Sequence, residues 1–282
     1  MNLKLRPVLS KKNVHPRDQN IEFAEEGHKY FITTDVESTY TSVTTWNQTH
    51  FPKFDADKVI DNMMKGKNWK KGNKYWGLSK DQIKTQWSNN DAALLGTQLH
   101  FEIECFMNQR RFKKEYTHKD LYENYMADYK ETLLETSLEW QYFIQFVKDT
   151  PELKPYRTEW TIYHEDLKLA GSIDMVYENP DGTLSIYDWK RTKDITRINM
   201  FNKFLETSII CHLPDTNFWH YALQLNTYKM IIEEKYDKKV TDLYLVRLHP
   251  NNAEKTYDLI QIPDLKIEIN DLFEERQNQL IK

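Results

Sequence analysis

The chain has 282 residues, too long for a minimal binding module and long enough for one large domain or two small ones. Its 39 Lys and Arg against 43 Asp and Glu give a net charge of −4, so it lacks the overall basic footprint of most nucleic-acid proteins, although net charge does not say where charges sit. Only 7 glycines, none in a phosphate-cradling motif, exclude a nucleotide cofactor of the Walker or dinucleotide type.

In chain order, the first twenty residues, with Pro7 and Pro16, read as a loose lead-in. From Ile21 to Thr45 the pattern predicts two or three short strands, ending in STYTSVTTW. A short helix follows over Asp55–Met64 with Asp55 as its cap, and Ser79 or Asp81 opens another toward Trp87. Between them Lys65, Lys67, Lys70, Lys71 and Lys74 form an acid-free stretch interleaved with Trp69, Tyr75 and Trp76. From Asp91 the apolar positions Ala92, Leu95, Leu99, Ile103 and Phe106 keep a helical period, and a second helix is expected over Leu121–Lys148. Pro151 and Pro155 then end helical structure.

The next stretch changes period. Strands are expected over Arg157–His164, Lys168–Tyr177 and Leu184–Lys190, the last two joined by the turn signal Asn179-Pro-Asp-Gly182. A long helix over Thr216–Tyr236, strands over Thr241–His249 and Lys255–Ile262, and a final helix capped by Asp264 complete the chain. The fold class is therefore α/β, in the order helix, three-stranded meander, helix, strand. Cys105 and Cys211 cannot supply the four thiolates of an iron–sulfur cluster or an all-cysteine zinc site, so neither is expected. No apolar run spans a bilayer and no secretory h-region opens the chain, which predicts a soluble, intracellular protein that neither enters a membrane nor is secreted.

Three polar residues in the meander carry chemistry. Asp188 and Lys190 are two apart on one strand and share a face, and the turn folds the Asp174 strand beside them. Two converging carboxylates repel unless a divalent cation lies between them, and hard oxygen ligands suit Mg²⁺ or Mn²⁺. Such an ion acidifies water for phosphodiester hydrolysis, with Lys190 orienting that water. A surface Asp–Lys pair with an unrelated strand-end Asp is the competing reading of the same residues.

This arrangement resembles the PD-(D/E)xK nuclease superfamily, through Asp174 and Asp188-Trp189-Lys190, with Ile173 standing where the motif has proline. Gly96-Thr97-Gln98-Leu99-His100 and Gln224-Leu-Asn-Thr-Tyr228 are similar to elements of its RecB-like branch. Lacking cluster cysteines, the chain is more similar to cluster-free exonucleases of the mitochondrial genome-maintenance and viral kinds. The resemblance implies a mixed sheet flanked by helices over residues 91–282, elaborated by a helical and β-ribbon segment over 1–90. It implies His100, Asp174, Asp188 and the Trp189 carbonyl as ligands of one or two Mg²⁺ or Mn²⁺ ions, Lys190 as catalytic, and Gln224 and Tyr228 near substrate. His100 can equally pair with Glu104 one helical turn on, and Tyr228 can be ordinary core.

Glu159 is a further candidate ligand or a plain exposed strand residue. Thr97, Ser172, Arg191 and Thr192 are candidate phosphate contacts. Lys70, Lys71, Trp69 and Trp76 are expected to seat unpaired DNA, as lysines meet phosphates and indoles stack on bases. Further basic residues lie in Gln109–Lys114 and at Lys193, Arg197 and Lys203. The expected function is a metal-dependent exonuclease acting on single-stranded DNA or free ends, with residues 1–90 forming a lid or arch. An endonuclease, or a non-cleaving DNA-binding protein on the same fold, are the alternatives.

Overall fold

A computed structural model describes residues 7–88, 91–109, 116–129 and 136–281. Its main sheet has six strands: β3 (Thr41–Ser42), β4 (Lys154–His164), β5 (Leu169–Glu178), β6 (Leu184–Lys190), β7 (Val240–Arg247) and β8 (Asp258–Gln261). The β4–β5–β6 meander is antiparallel, β7 runs parallel to β6, and β8 closes the far edge antiparallel. A separate hairpin pairs β1 (Ile21–Ala24) with β2 (Lys29–Ile32).

Helices cover both faces of the sheet, as its nearly continuous burial requires. On one side α8 (Asn217–Lys235), α9 (Lys266–Ile281) and the short α2 (Val43–Gln48) enclose a core built around Trp160, Ile173, Leu223 and Ile231. On the other, α5 (Ala92–Met107), α6 (His118–Tyr129) and α7 (Leu138–Asp149) pack with Met175, Tyr177, Tyr187 and Trp189. The mixed α/β architecture is the one expected. Among the described residues no helix is long and apolar enough to cross a membrane, and Cys105 and Cys211 are not joined in a disulfide.

Three expectations are corrected. The lead-in is not loose where it is described. It forms α1 (Val8–Lys12) and a 3-10 turn (Pro16–Asn20); Leu9 is fully buried, and Asp18 holds Arg157 at 2.6 Å and accepts from the Trp160 indole N–H at 3.0 Å. The run STYTSVTTW is strand only at β3. Ser42 Oγ accepts from the Thr45 N–H and starts α2, which puts Val43 and Trp46 into the core. The helix expected over Leu121–Lys148 is two helices, α6 and α7, the second capped by Ser137 Oγ on the Trp140 N–H. Residues 41–51 thus belong to the main core, while α3 (Ala56–Lys65) and α4 (Lys80–Ser88) pack on each other and bury Ile60 and Ile83.

His118 joins the α5–α7 layer to the sheet. Its Nδ1 lies 2.9 Å from Thr150 Oγ1 and its Nε2 lies 2.9 Å from the Tyr177 hydroxyl. Burial pushes the imidazole down to about 3 from 6.5. Because the folded value lies below the unfolded one, stability is intact above pH 6.5 and lost as pH falls toward 3. The expected loss reaches about 3 kcal/mol by roughly pH 4. Urea denaturation across that range measures it, and His118→Gln should blunt the slope.

Candidate active site

A gap in the sheet creates the site. One edge of β5 is paired with β4 except at Asp174, which stands opposite Glu159. The other is shared, β3 taking Leu169 and Ala170 and β6 taking Met175 to Glu178, so that residues 171–174 have no ladder partner there. Asp174 stands at the end of this gap. Its Oδ2 accepts from the Trp189 N–H at 3.0 Å, a side chain replacing the ladder acceptor where β6 departs.

Asp188 and Lys190 share a face of β6, as their spacing predicts. Lys190 Nζ is 2.6 Å from Asp188 Oδ2 and 4.6 Å from the centre of the Tyr221 ring on α8. Trp189 between them points the other way, onto Phe143 and Phe146 of α7. Burial pushes the Asp188 carboxyl up to about 6, opposed by Lys190 and reinforced by Asp174. Burial alone would lower the Lys190 ammonium, but Asp188 and Asp174 outweigh it and hold it charged.

His100, on α5, turns to the sheet rather than to Glu104. Its Nε2 is 3.0 Å from the Trp189 carbonyl, and its Nδ1 is 3.5 Å from Asp174 Oδ2. A carbonyl only accepts, so Nε2 carries a hydrogen, and Nδ1 faces the Asp174 carboxylate. Glu159 joins them: one ligand atom each from His100, Glu159 and Asp174 lie within 4.8 Å of one another.

The backbone pays for Glu159. This residue has φ 41°, the left-handed region that a non-glycine residue occupies at a cost of roughly 1–3 kcal/mol. The irregularity breaks strand alternation. Thr158 meets Asn108 of α5, whereas Trp160, which should share its face, packs in the α8 core. Glu159 is solvent-accessible, and Ser172 Oγ donates to its Oε2 at 2.9 Å. Crowding in the cleft, with the charge of Asp174, nevertheless holds its carboxyl above the usual range.

A family model described as the PD-(D/E)XK nuclease superfamily matches residues 89–281. The chain belongs to that superfamily. Two solved structures are similar at a distance: one designated SSO0001 (13% identity, covering 86% of this chain and 77% of that one, TM-score 0.31), and a candidate exonuclease from Eubacterium rectale (12% identity, 86% and 78% covered, TM-score 0.32). No curated protein matches the sequence.

PD-(D/E)XK nucleases use divalent metal ions, and the donors here fit one. Two carboxylates facing one point repel each other alone and are complementary to a cation, and an imidazole nitrogen stands beside them. Among the expected ligands, Asp188 is 3% exposed, and its Oδ2 stands 2.6 Å from Lys190 Nζ but makes no hydrogen bond, while Glu159 stands in the group of three. The Trp189 carbonyl accepts from His100.

The other candidates divide. Ser172 lies in the site, on Glu159. Gln224 Nε2 donates to the Tyr228 hydroxyl at 3.2 Å, but Tyr228 is only 3% exposed and packs against Gly171. Its ring belongs to the core on the α8 side of the sheet, and its hydroxyl accepts from Gln224. Arg191 is held on the Trp189 side by Glu139, at 2.8 Å, away from Asp188 and Lys190. Thr192 donates to the Asp194 carbonyl, and Thr97, exposed, to Ala93 one turn back. Lys70 and Lys71 are exposed; the Trp69 and Trp76 rings are 5.7 Å apart, with Trp76 47% exposed. Residues 110–114 of the second basic cluster lie outside the described residues. Tyr221, beneath Lys190, is outside the expected set, although it stands three residues before Gln224 and so on the same helix face. Glu104, expected only as a candidate partner of His100, instead bears on Glu159 through its charge, and its own carboxyl is raised by burial.

Proposed function

We propose that this chain is a Mg²⁺- or Mn²⁺-dependent deoxyribonuclease of the RecB-like branch. Its substrate is single-stranded DNA or a free strand end, and it works in a reducing compartment. The observation that carries this reading is the facing pair His100 Nδ1 and Asp174 Oδ2, 3.5 Å apart beside Glu159, with the Lys190–Asp188 pair on the next strand. His100, Asp174 and Glu159 would hold the ion, which when bound supplies positive charge for a phosphoryl oxygen and acidifies water. Lys190, kept charged by Asp188, orients the attacking water and stabilises the developing negative charge. Gln224, fixed by Tyr228, seats the strand beside them.

Digestion of 5′- and 3′-labelled single- and double-stranded DNA with Mg²⁺, Mn²⁺ or chelator tests the reading. Ladders should shorten from an end only with metal, and closed circular DNA should survive. Cleavage of the circle would make the enzyme an endonuclease; no cleavage of any substrate would leave only a DNA-binding role.

Residues 1–90, in this reading, control access, with the exposed segment between α3 and α4 covering the strand. Lys70→Glu/Lys71→Glu should weaken binding of single-stranded DNA and reduce the slope of log K against log salt by about 1.4, from two lost phosphate contacts at roughly 0.7 each. An unchanged slope across a salt titration would remove these lysines from the interface.

A further inference from the structure

The segment between β6 and α8 carries an apolar tip that nothing above uses. Ile198 is 75% exposed, Met200 88% and Phe201 84%. Large side chains so fully presented within four residues are informative where a single one would not be. The tip is firmly built. Asn199 Nδ2 donates to the Asp215 carbonyl at 2.6 Å, its Oδ1 accepts from the Phe201 N–H at 2.8 Å, and the Asp215 N–H donates to the Lys203 carbonyl at 2.9 Å.

Two further bonds tie its base to the first turn of α8: Thr196 N–H to Asn217 Oδ1 at 3.0 Å, and the Trp219 indole N–H to the Arg197 carbonyl at 3.2 Å. The next residues of that helix bring Tyr221 over Lys190. The tip is therefore fixed relative to the catalytic lysine.

Charge indicates the occupant. Residues 193–206 contain Lys193, Arg197 and Lys203 against Asp194 and Glu206, with Arg197 and Lys203 the charges nearest the tip in sequence. An apolar surface with a cation on either side, tied to the helix that carries Tyr221 against Lys190, matches a ligand with flat apolar faces on an anionic backbone. Unpaired bases have that composition, and stacking on them tolerates any sequence. We propose that the Ile198–Phe201 tip is a base-stacking wedge that grips unpaired nucleotides of the strand entering the site. This rests on the nuclease reading above and narrows its substrate to an unpaired strand.

The test is fluorescence anisotropy of a labelled oligothymidylate with the full chain in EDTA, so that cleavage plays no part. Met200→Ser/Phe201→Ser changes only exposed side chains and should fold normally. It should bind about tenfold more weakly, within the ~1–3 kcal/mol per stacked base seen on truncation. Its salt slope should be unchanged because no charge is removed, and its affinity for blunt duplex should be unaltered. Equal affinity of variant and wild type for the oligothymidylate overturns the wedge. Binding of wild type to phosphatidylglycerol vesicles, lost in the variant while oligothymidylate affinity stays constant, also overturns it and reassigns the tip to a membrane surface. Wild type that binds the oligonucleotide but never cleaves with metal defeats the nuclease reading alone and leaves the wedge comparison valid. Wild type that binds no DNA defeats both.

Discussion

Asp174→Asn is expected to abolish metal-dependent DNA cleavage, by on the order of a thousandfold or more, without unfolding the protein. The substitution is nearly isosteric, and the new amide oxygen can still accept from the Trp189 N–H that Asp174 Oδ2 now satisfies at 3.0 Å. What is lost is the negative charge facing His100 and Glu159, on which cation affinity depends. Lys190→Gln should lose activity comparably for a different reason. It retains a donor toward Asp188 but removes the charge that would orient water and stabilise the phosphorane-like state. The two variants should separate in a binding experiment: Mn²⁺ titration followed by electron paramagnetic resonance should show weak binding for Asp174→Asn and retained binding for Lys190→Gln. Alanine at position 190 is the poorer choice, since it leaves Asp188 buried without its ion-pair partner, at a cost of roughly 3–5 kcal/mol. Full cleavage by both variants would sink the assignment of the site.

Much of this arrangement is readable from local pattern. Period-two alternation and the Asn179-Pro-Asp-Gly182 turn put Asp188 and Lys190 on one face and bring Asp174 alongside, and the structure places them so. The helical repeat through Leu99 and Ile103 locates α5, and His100 beside Leu99 reaches the sheet. Features that depend on distant partners are not readable in this way. Asp18 gains its meaning from Arg157, far along the chain, and without that partner the lead-in reads as loose. STYTSVTTW has strand propensity throughout, yet burial of Val43 and Trp46 overrides it after β3. A continuous apolar period hid the break before α7, although Ser137 is a legible cap. Glu159 illustrates the harder limit. The hairpin register that pairs Thr158 with Met175 and Trp160 with Ile173 sets Glu159 opposite Asp174, but no glycine marks the left-handed backbone that interrupts the ladder there. Alternation did contain the fate of Arg191, which shares parity with Trp189 and not with Lys190.

Gly171→Ala should destabilise the protein by about 1–3 kcal/mol and lower its nuclease activity together. Gly171 lies where one edge of β5 has no partner, three residues before Asp174, and its backbone packs against the Tyr228 ring. A Cβ there would stand 2.7 Å from Tyr228 Cε1 and 3.1 Å from its hydroxyl, with the ring enclosed on its other sides. The ring can yield only by disturbing the α8 core or by tilting its hydroxyl away from Gln224, which now donates to it at 3.2 Å. Stability and activity therefore share one cause at this position, and a second substitution can part them. In a Tyr228→Leu background the smaller side chain leaves room for the methyl, so the added cost of Gly171→Ala should shrink well below its cost in the wild type. Activity should not return, because Gln224 then has no hydroxyl to hold it. Urea denaturation of the four variants gives the coupling, and single-turnover cleavage gives the activity. An equal stability cost in both backgrounds would show that Gly171 is needed for its own backbone rather than to admit the ring. A Tyr228→Leu enzyme with full activity would show that Gln224 needs no such support.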